Sequence, residues 1–157
     1  MPLLELQPLN DQGALAPLFL DPYIARVSHD DRPAAPIEHP HVRYLGARVD
    51  GELVGAFMVI ESGFIEVDVH ALLTRRALPH SRALGRLCLD RAFADPAIER
   101  VTAYVIDGLN AARNYCRKLG FKDEGARRSA CRQGGRLLDV HILGMTRNDW
   151  KGTQCLS

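Results

Sequence analysis

The fold is decided by residues 65–121, which read IEVDVHALLTRRALPHSRALGRLCLDRAFADPAIERVTAYVIDGLNAARNYCRKLGF. Period-two alternation, helical spacing of apolar residues and helix-ending glycine divide this stretch into five segments. We predict a strand, an Arg-rich turn, a helix, a second strand and a second helix. Their expected bounds are Ile65–Leu73, Thr74–His80, Ser81–Ala94, Val101–Ile106 and Asn110–Leu119.

The start of the first predicted helix has the features of a phosphate-binding turn. The unpaired N–H groups of a first helical turn and the positive end of the helix dipole attract phosphate oxygens. Ser81 is the predicted N-cap, and small residues at Ala83 and Gly85 would let a ligand approach the backbone. The candidate cofactor-binding residues at this junction are His80, Ser81, Arg82, Ala83, Leu84, Gly85 and Arg86.

The second predicted helix carries a family resemblance. It begins at Asn110, a predicted N-cap and a further candidate cofactor-binding residue, and runs into Lys118-Leu119-Gly120-Phe121. This ending after a strand resembles the second cofactor motif of the GNAT superfamily of N-acetyltransferases. The phosphate loop of that family reads Gln/Arg-x-x-Gly-x-Gly/Ala, and this chain has His80, Ala83 and Gly85 at the corresponding positions.

The C-terminal part extends the resemblance, which covers roughly residues 42–150. Its ending is similar to the branch of the superfamily that acetylates protein N-termini and small amines. The altered phosphate loop also resembles acetyltransferase-like proteins carried by bacteriophages and prophages. The resemblance implies one domain over residues 1–150 with a C-terminal tail at 151–157.

The pattern of predicted elements alone supports an α/β or α+β fold with helices on both faces of one mixed sheet. The GNAT resemblance implies the α+β form, with a seven-stranded, mostly antiparallel sheet that splays between its central parallel strands. In that family acetyl-CoA lies in the split and its pantetheine arm pairs with the first of those strands. This implies that the strand around Leu72 contributes to cofactor binding.

Acetyl transfer to an amine needs a group that takes a proton from the amine and one that protonates the leaving thiolate. On the predicted strand, Glu66, Asp68 and His70 alternate and so lie on one face. His70 is the favoured base, with Glu66 as the alternative, because imidazole titrates near neutral pH. The polar side of a half-exposed strand would show the same alternation.

The proton donor to the thiolate has two candidates. The family usually has a Tyr four residues before the helix-ending Gly, where this chain has Cys116. Tyr115 lies one residue earlier, about 100° around the helix. Either side chain could donate the proton, and either could simply pack in the core.

Composition favours a globular domain, and the cysteines favour a cytoplasmic location. Of the 157 residues 46% are hydrophobic and 25% charged, with a net charge of +1, which gives no indication of a nucleic-acid or membrane partner. The expected partner is a small-molecule or protein amine, and the chain could be a homodimer, since family members often dimerise through the C-terminal strands. The cysteines lack C-x-x-C spacing, which favours reduced thiols over a zinc site.

The N-terminal third is expected to form an edge strand, a short helix capped by Asp11, a long loop and a hairpin. The loop, residues 21–41, has the length of a binding loop or lid. Four of its side chains could in principle ligate a metal, but a solvated polar loop explains them better: His29, Asp31, His39 and His41. The hairpin, around Asp50-Gly51, joins strands Val42–Val49 and Leu53–Ile60.

Overall fold

A computed structural model describes residues 1–155, which form seven strands, five α-helices and one 3₁₀ turn. The strands are β1 (Leu4–Pro8), β2 (Val42–Val49), β3 (Glu52–Glu61), β4 (Glu66–Leu73), β5 (Arg100–Ile106), β6 (Lys122–Gln133) and β7 (Arg136–Thr146). The helices are α1 (Gln12–Leu20), α2 (Pro22–Ser28), α3 (Ser81–Phe93), α4 (Asn110–Leu119) and α5 (Arg147–Gln154), and the 3₁₀ turn is Arg75–His80. Within residues 1–155, every helix is too short or too polar to cross a membrane.

The strands form a single sheet in the order β1-β2-β3-β4-β5-β7-β6. All neighbouring pairs are antiparallel except β4 and β5, which run parallel at the centre. This arrangement confirms the predicted α+β fold, a seven-stranded and mostly antiparallel sheet. The two central strands are the ones predicted to be parallel.

Helices cover both faces of the sheet, and the end of β4 is apolar on both sides. Leu72 packs into a cluster with side chains of α1 and α2, whereas Leu73 packs into the larger cluster with α3 and α4. Adjacent residues of a strand point to opposite faces, so the two clusters lie on opposite sides. On α3 the buried positions follow helical spacing: Leu84, Cys88, Leu89, Ala92 and Phe93.

The turns follow the predicted chemistry. Asp50 and Gly51 join β2 to β3 with φ values of 50° and 83°, the left-handed pair that a tight hairpin turn requires. Gly134 and Gly135 join β6 to β7 in the same way, with φ values of 59° and 74°. Gly120 ends α4 with φ 110°, as predicted for a helix-ending glycine.

The predicted loop at residues 21–41 is wrong in its first part, which is helix α2. The Asp21 carboxylate caps this helix by accepting hydrogen bonds from the N–H groups of Tyr23 and Ile24, at 3.0 and 3.1 Å. Pro22 occupies the first helical position, where its missing N–H costs nothing. A proline in a polar segment predicts a loop, but directly behind an Asp cap it marks the start of a helix.

The last helix, α5, was not predicted. Thr146 and Asp149 form a reciprocal capping box at its start. Trp150 stacks on Phe93 of α3 with ring centroids 5.2 Å apart, and its indole N–H donates to Asp90 at 2.9 Å. These contacts fix the C-terminal helix against the end of α3.

Candidate active site

The candidate site lies where β4 and β5 separate. These strands pair only from Glu66 to Asp68, opposite Arg100 to Thr102. Beyond that point they diverge around a cavity of about 250 Å³, which we call the cleft, lined by both strands and by α3 and α4. Because β4 is paired with β3 on its other edge, its edge toward the cleft keeps backbone groups that need partners.

α3 meets the cleft through Gly85, one turn after its N-terminus. The 3₁₀ turn runs directly into this helix, so the N-cap is His80 and Ser81 is already helical, with φ −58° and ψ −41°. The predicted Ser81 cap is therefore wrong. No side-chain hydrogen bond from the N-cap closes this terminus, and Ala83 beside it is exposed. The N–H group of Ser81 donates to the Leu78 carbonyl oxygen of the 3₁₀ turn.

Gly85 has a different role from the one predicted. It is buried against α4, where an added Cβ would overlap the Tyr115 hydroxyl and lie 2.9 Å from Leu119 Cδ1. The missing side chain therefore allows α3 and α4 to pack closely. The predicted close approach of a ligand to the backbone fits the exposed Ala83 but not Gly85.

Tyr115 and Cys116 both line the cleft from α4. The Tyr115 hydroxyl donates a hydrogen bond of 2.7 Å to the Ser81 carbonyl oxygen, and burial raises the pKa of this phenol. Burial also raises the pKa of the Cys116 thiol to about 11. Both groups therefore stay protonated at neutral pH. Asn110 is exposed as the first residue of α4, and the N-cap is Leu109 rather than the predicted Asn110.

His70 lies on β4 at the point where the cleft opens. Its ring stacks near that of Tyr104 on β5, with centroids 6.4 Å apart. Burial lowers the pKa of this imidazole, so His70 is neutral at pH 7. Tyr104 was not singled out in the sequence, because its position opposite His70 depends on the register of two distant strands.

Glu66 and Asp68 lie at the paired end of the split. Glu66 accepts a hydrogen bond of 3.1 Å from Thr102 Oγ1 and lies 3.5 Å from the Arg100 guanidinium. Asp68 accepts one of 3.0 Å from Ser62 Oγ, and burial raises the pKa of its carboxyl group. Of the three alternating polar residues, His70 alone lines the cleft.

A second cavity of about 330 Å³ adjoins the cleft on the side of α1 and α2. Leu72, a predicted cofactor contact, directs its buried side chain into this cavity. Three residues line both cavities and mark where they meet: Ser28, Asp30 and His70.

The tip of the β6–β7 hairpin holds the segment that separates the two cavities. The Asp31 carboxylate accepts hydrogen bonds from the N–H groups of Gly134 and Gly135, at 2.7 and 2.9 Å. The Gln133 side chain donates to the His29 carbonyl oxygen at 2.9 Å, and the Asp31 N–H donates to the Arg132 carbonyl oxygen at 2.9 Å. We call this set the hairpin clasp. The Gly-Gly turn was recognisable in the sequence, but its partner was not.

The four side chains considered as metal ligands do not converge. Among residues 1–155, no group of three or more His, Cys, Asp or Glu residues is arranged to hold a metal. Asp31 belongs to the hairpin clasp, and His41 Nδ1 lies 3.0 Å from Glu61. His29 stacks on Phe19 with centroids 5.5 Å apart.

Asp139 and His141 on β7 take separate partners. Asp139 accepts a hydrogen bond of 2.8 Å from the Ser129 N–H, while His141 Nε2 lies 2.7 Å from Asp107, so they form no pair with each other. Arg76 pairs with Glu52. Arg82 and Arg86 are exposed along α3, so they are the arginines closest to the uncapped terminus.

Comparison with known proteins shows what this fold is. No family model matches the sequence. The spermidine N-acetyltransferase from Vibrio cholerae, in complex with CoA and spermine, superposes with a TM-score of 0.82 at 17% identity, over 94% of this chain and 98% of that one. A chimera of that enzyme, SpeG, with hSSAT gives a TM-score of 0.79 at 17% identity, over 95% and 98%. The chain therefore has the GNAT fold that its sequence motifs implied.

Proposed function

From the GNAT fold as premise, we propose that this chain is an acetyl-CoA-dependent N-acetyltransferase acting on a primary amine of a small molecule or protein. The observation that supports this is a cleft lined by two different elements. α3, whose N-terminus has no side-chain cap, lines it from Gly85 onward, and the neutral imidazole of His70 lines it from β4. Phosphate recognition and proton removal, which the reaction needs at separate places, are both available.

The residues at the phosphate end fit coenzyme A. The N–H groups around Ala83 and the exposed guanidinium groups of Arg82 and Arg86 would hold the pyrophosphate. The β5-facing edge of β4 would hydrogen-bond the amides of the pantetheine arm. Acetyl-CoA, when bound, supplies the thioester: the amine nitrogen bonds to the acetyl carbon, and the sulfur leaves with the electron pair of the carbon–sulfur bond.

Three residues that line the cleft take and give protons. His70, neutral because burial lowers its pKa, takes a proton from the acceptor's ammonium group. Tyr115 and Cys116 are the two candidates to protonate the departing thiolate, since each keeps its proton at neutral pH. The Tyr115 hydroxyl would have to give up its bond to Ser81 to do so.

The proposal is tested by ligand binding and by turnover. Acetyl-CoA at about a hundred times its dissociation constant should stabilise the protein by about 2.7 kcal/mol, measured by thermal unfolding. A panel of amines should then release free thiol from acetyl-CoA. Absence of both stabilisation and calorimetric heat would overturn the proposal.

A second function is favoured by the proton-donor residues. Cys116 stands where the family has Tyr, and Tyr115 already donates to a backbone carbonyl. Binding of acetyl-CoA without thiol release from any amine would indicate a GNAT-fold binding protein that is catalytically inactive.

A further inference from the structure

We infer that the second cavity is the acceptor pocket and that it takes a primary monoamine with an apolar body, such as an arylalkylamine. The inference rests on the proposed acetyl transfer and narrows its substrate class. Three observations support the inference: the place where the second cavity meets the cleft, the residues that line this cavity, and its small number of negatively charged side chains.

The two cavities meet at the group that would accept the proton. His70 lines both of them, together with Ser28 and Asp30. An amine whose body fills the second cavity would therefore place its nitrogen beside the imidazole, facing the cleft. His70 takes one proton from the ammonium group, and the neutral nitrogen then bonds to the acetyl carbon while the carbon–sulfur bond breaks. The thiolate takes a proton from Tyr115 or Cys116, and the second proton of the nitrogen replaces the one that this donor gave up.

The walls of the second cavity are mostly apolar. They come from α1, from the segment after α2, and from β3 and β4: Phe19, Ala34, Ile37, Met58 and Leu72. Small-molecule sites of this kind begin at roughly 300 Å³, and a cavity of about 150 Å³ already accommodates benzene. The volume of about 330 Å³ is enough for an aromatic ring and a short alkyl arm.

The number of carboxylates in the two cavities favours a monoamine over a polyamine as the acceptor. Of the described residues that line the two cavities, Asp30 is the single carboxylate. It stands at the junction, where one ammonium group would be held next to His70. Its charge is already shared with Arg32, whose guanidinium lies 2.8 Å away and also lines the second cavity. Further ammonium groups would meet Arg32 and apolar walls without a carboxylate, which is costly for a cation.

The experiment compares three acceptors with the full chain and acetyl-CoA: phenethylamine, spermidine and a short peptide with a free N-terminal amine. We expect kcat/KM for phenethylamine to exceed that for spermidine and for the peptide by at least tenfold. A preference for spermidine or for the peptide would overturn the inference. Calorimetry of phenethylamine against the CoA-loaded protein gives a readout independent of turnover.

A matched pair of variants tests the role of the second cavity. Ala35 is exposed and lines this cavity, so Ala35→Glu adds a carboxylate there and Ala35→Gln adds the same bulk without charge. Ala35→Glu should shift the preference at least tenfold toward spermidine, whereas Ala35→Gln should not. Ala97→Glu, at an exposed position that lines neither cavity, is the control for added surface charge.

The outcomes separate the two proposals. If CoA fails to bind, the proposed acetyltransferase function is overturned. If CoA binds and phenethylamine neither binds nor reacts, this inference alone falls. Equal preferences in the wild type, Ala35→Glu and Ala35→Gln would also overturn it, because the second cavity would then not contact the acceptor.

Discussion

Gly85 has no side chain because two side chains of α4 already occupy the space that a Cβ would fill. The Tyr115 hydroxyl and the Leu119 methyl groups lie against its Cα. In the sequence this glycine fits a phosphate-loop pattern, and in the structure it fits a helix–helix contact. Residue type alone could not distinguish a phosphate loop from a helix–helix contact, because both require the smallest residue.

We predict that Gly85→Ala destabilises the protein by about 1–3 kcal/mol, the usual cost of overpacking a core. Urea unfolding measures this loss. In a Tyr115→Phe background the loss should be smaller, because the hydroxyl that the new methyl group would meet is absent. An equal loss in both backgrounds would contradict the packing explanation.

The protonation state of His70 leads to a prediction about pH. Burial lowers the pKa of its imidazole, so the base form persists until the pH falls below the ordinary value of about 6.5. kcat/KM should therefore be level near neutral pH and decline only in more acidic solution. His70→Ala should reduce kcat/KM about a hundredfold and remove this decline. Its affinity for CoA should match the wild type, and an unchanged rate and pH profile would exclude His70 as the base.

At the scale of elements, the N-terminus of α3 gives the sharpest test of phosphate binding. Ala83→Glu and Ala83→Lys add similar bulk and opposite charge at one exposed position. The acidic variant should bind CoA at least tenfold more weakly while its helix gains about 0.3–1 kcal/mol from the dipole. The basic variant should retain the wild-type affinity. Calorimetric titration with CoA measures both, and identical affinities would exclude this terminus as the phosphate site.

The elements that the sequence predicted best are those decided by local chemistry. The Asp50-Gly51 turn, the Gly120 helix end and the alternation along β4 required no distant partner. The predicted cap at Ser81 was misplaced because the preceding 3₁₀ turn continues into helical geometry. The predicted cap at Asn110 was misplaced by one residue, since Asn110 is already the first residue of the helix. Tyr104 and the hairpin clasp were beyond prediction, since each depends on segments that meet only in the folded sheet.

At the scale of the whole molecule, the hairpin clasp joins the first quarter of the chain to the last. Asp31 and Gly134 are 103 residues apart in sequence and 2.7 Å apart in hydrogen-bonding atoms. The segment between α2 and β2, which lines the second cavity, therefore depends on the last hairpin for its position. The shape of the second cavity is therefore a property of the complete sheet.

We predict that Asp31→Ala accelerates amide hydrogen exchange in residues 28–35, because the clasp loses both carboxylate acceptors. Asp31→Asn retains one acceptor oxygen and should show an intermediate rate. Exchange in β2 and β3 should be unchanged, which makes these strands an internal control. Wild-type exchange of residues 28–35 in Asp31→Ala would show that the clasp does not restrain them.

The stacking of Trp150 on Phe93 also makes the intrinsic tryptophan fluorescence of this chain a probe of its folding. Trp150 is the single tryptophan, and its indole lies between α5 and the end of α3, with the Arg147 guanidinium 5.9 Å from its ring. Phe93 is eight residues beyond Gly85, about 12 Å further along the helix axis. Emission from this indole therefore follows the separation of α5 from α3 on unfolding, and Trp150 lines neither cavity. Fluorescence of the unlabelled protein can thus track the stability of the variants discussed above.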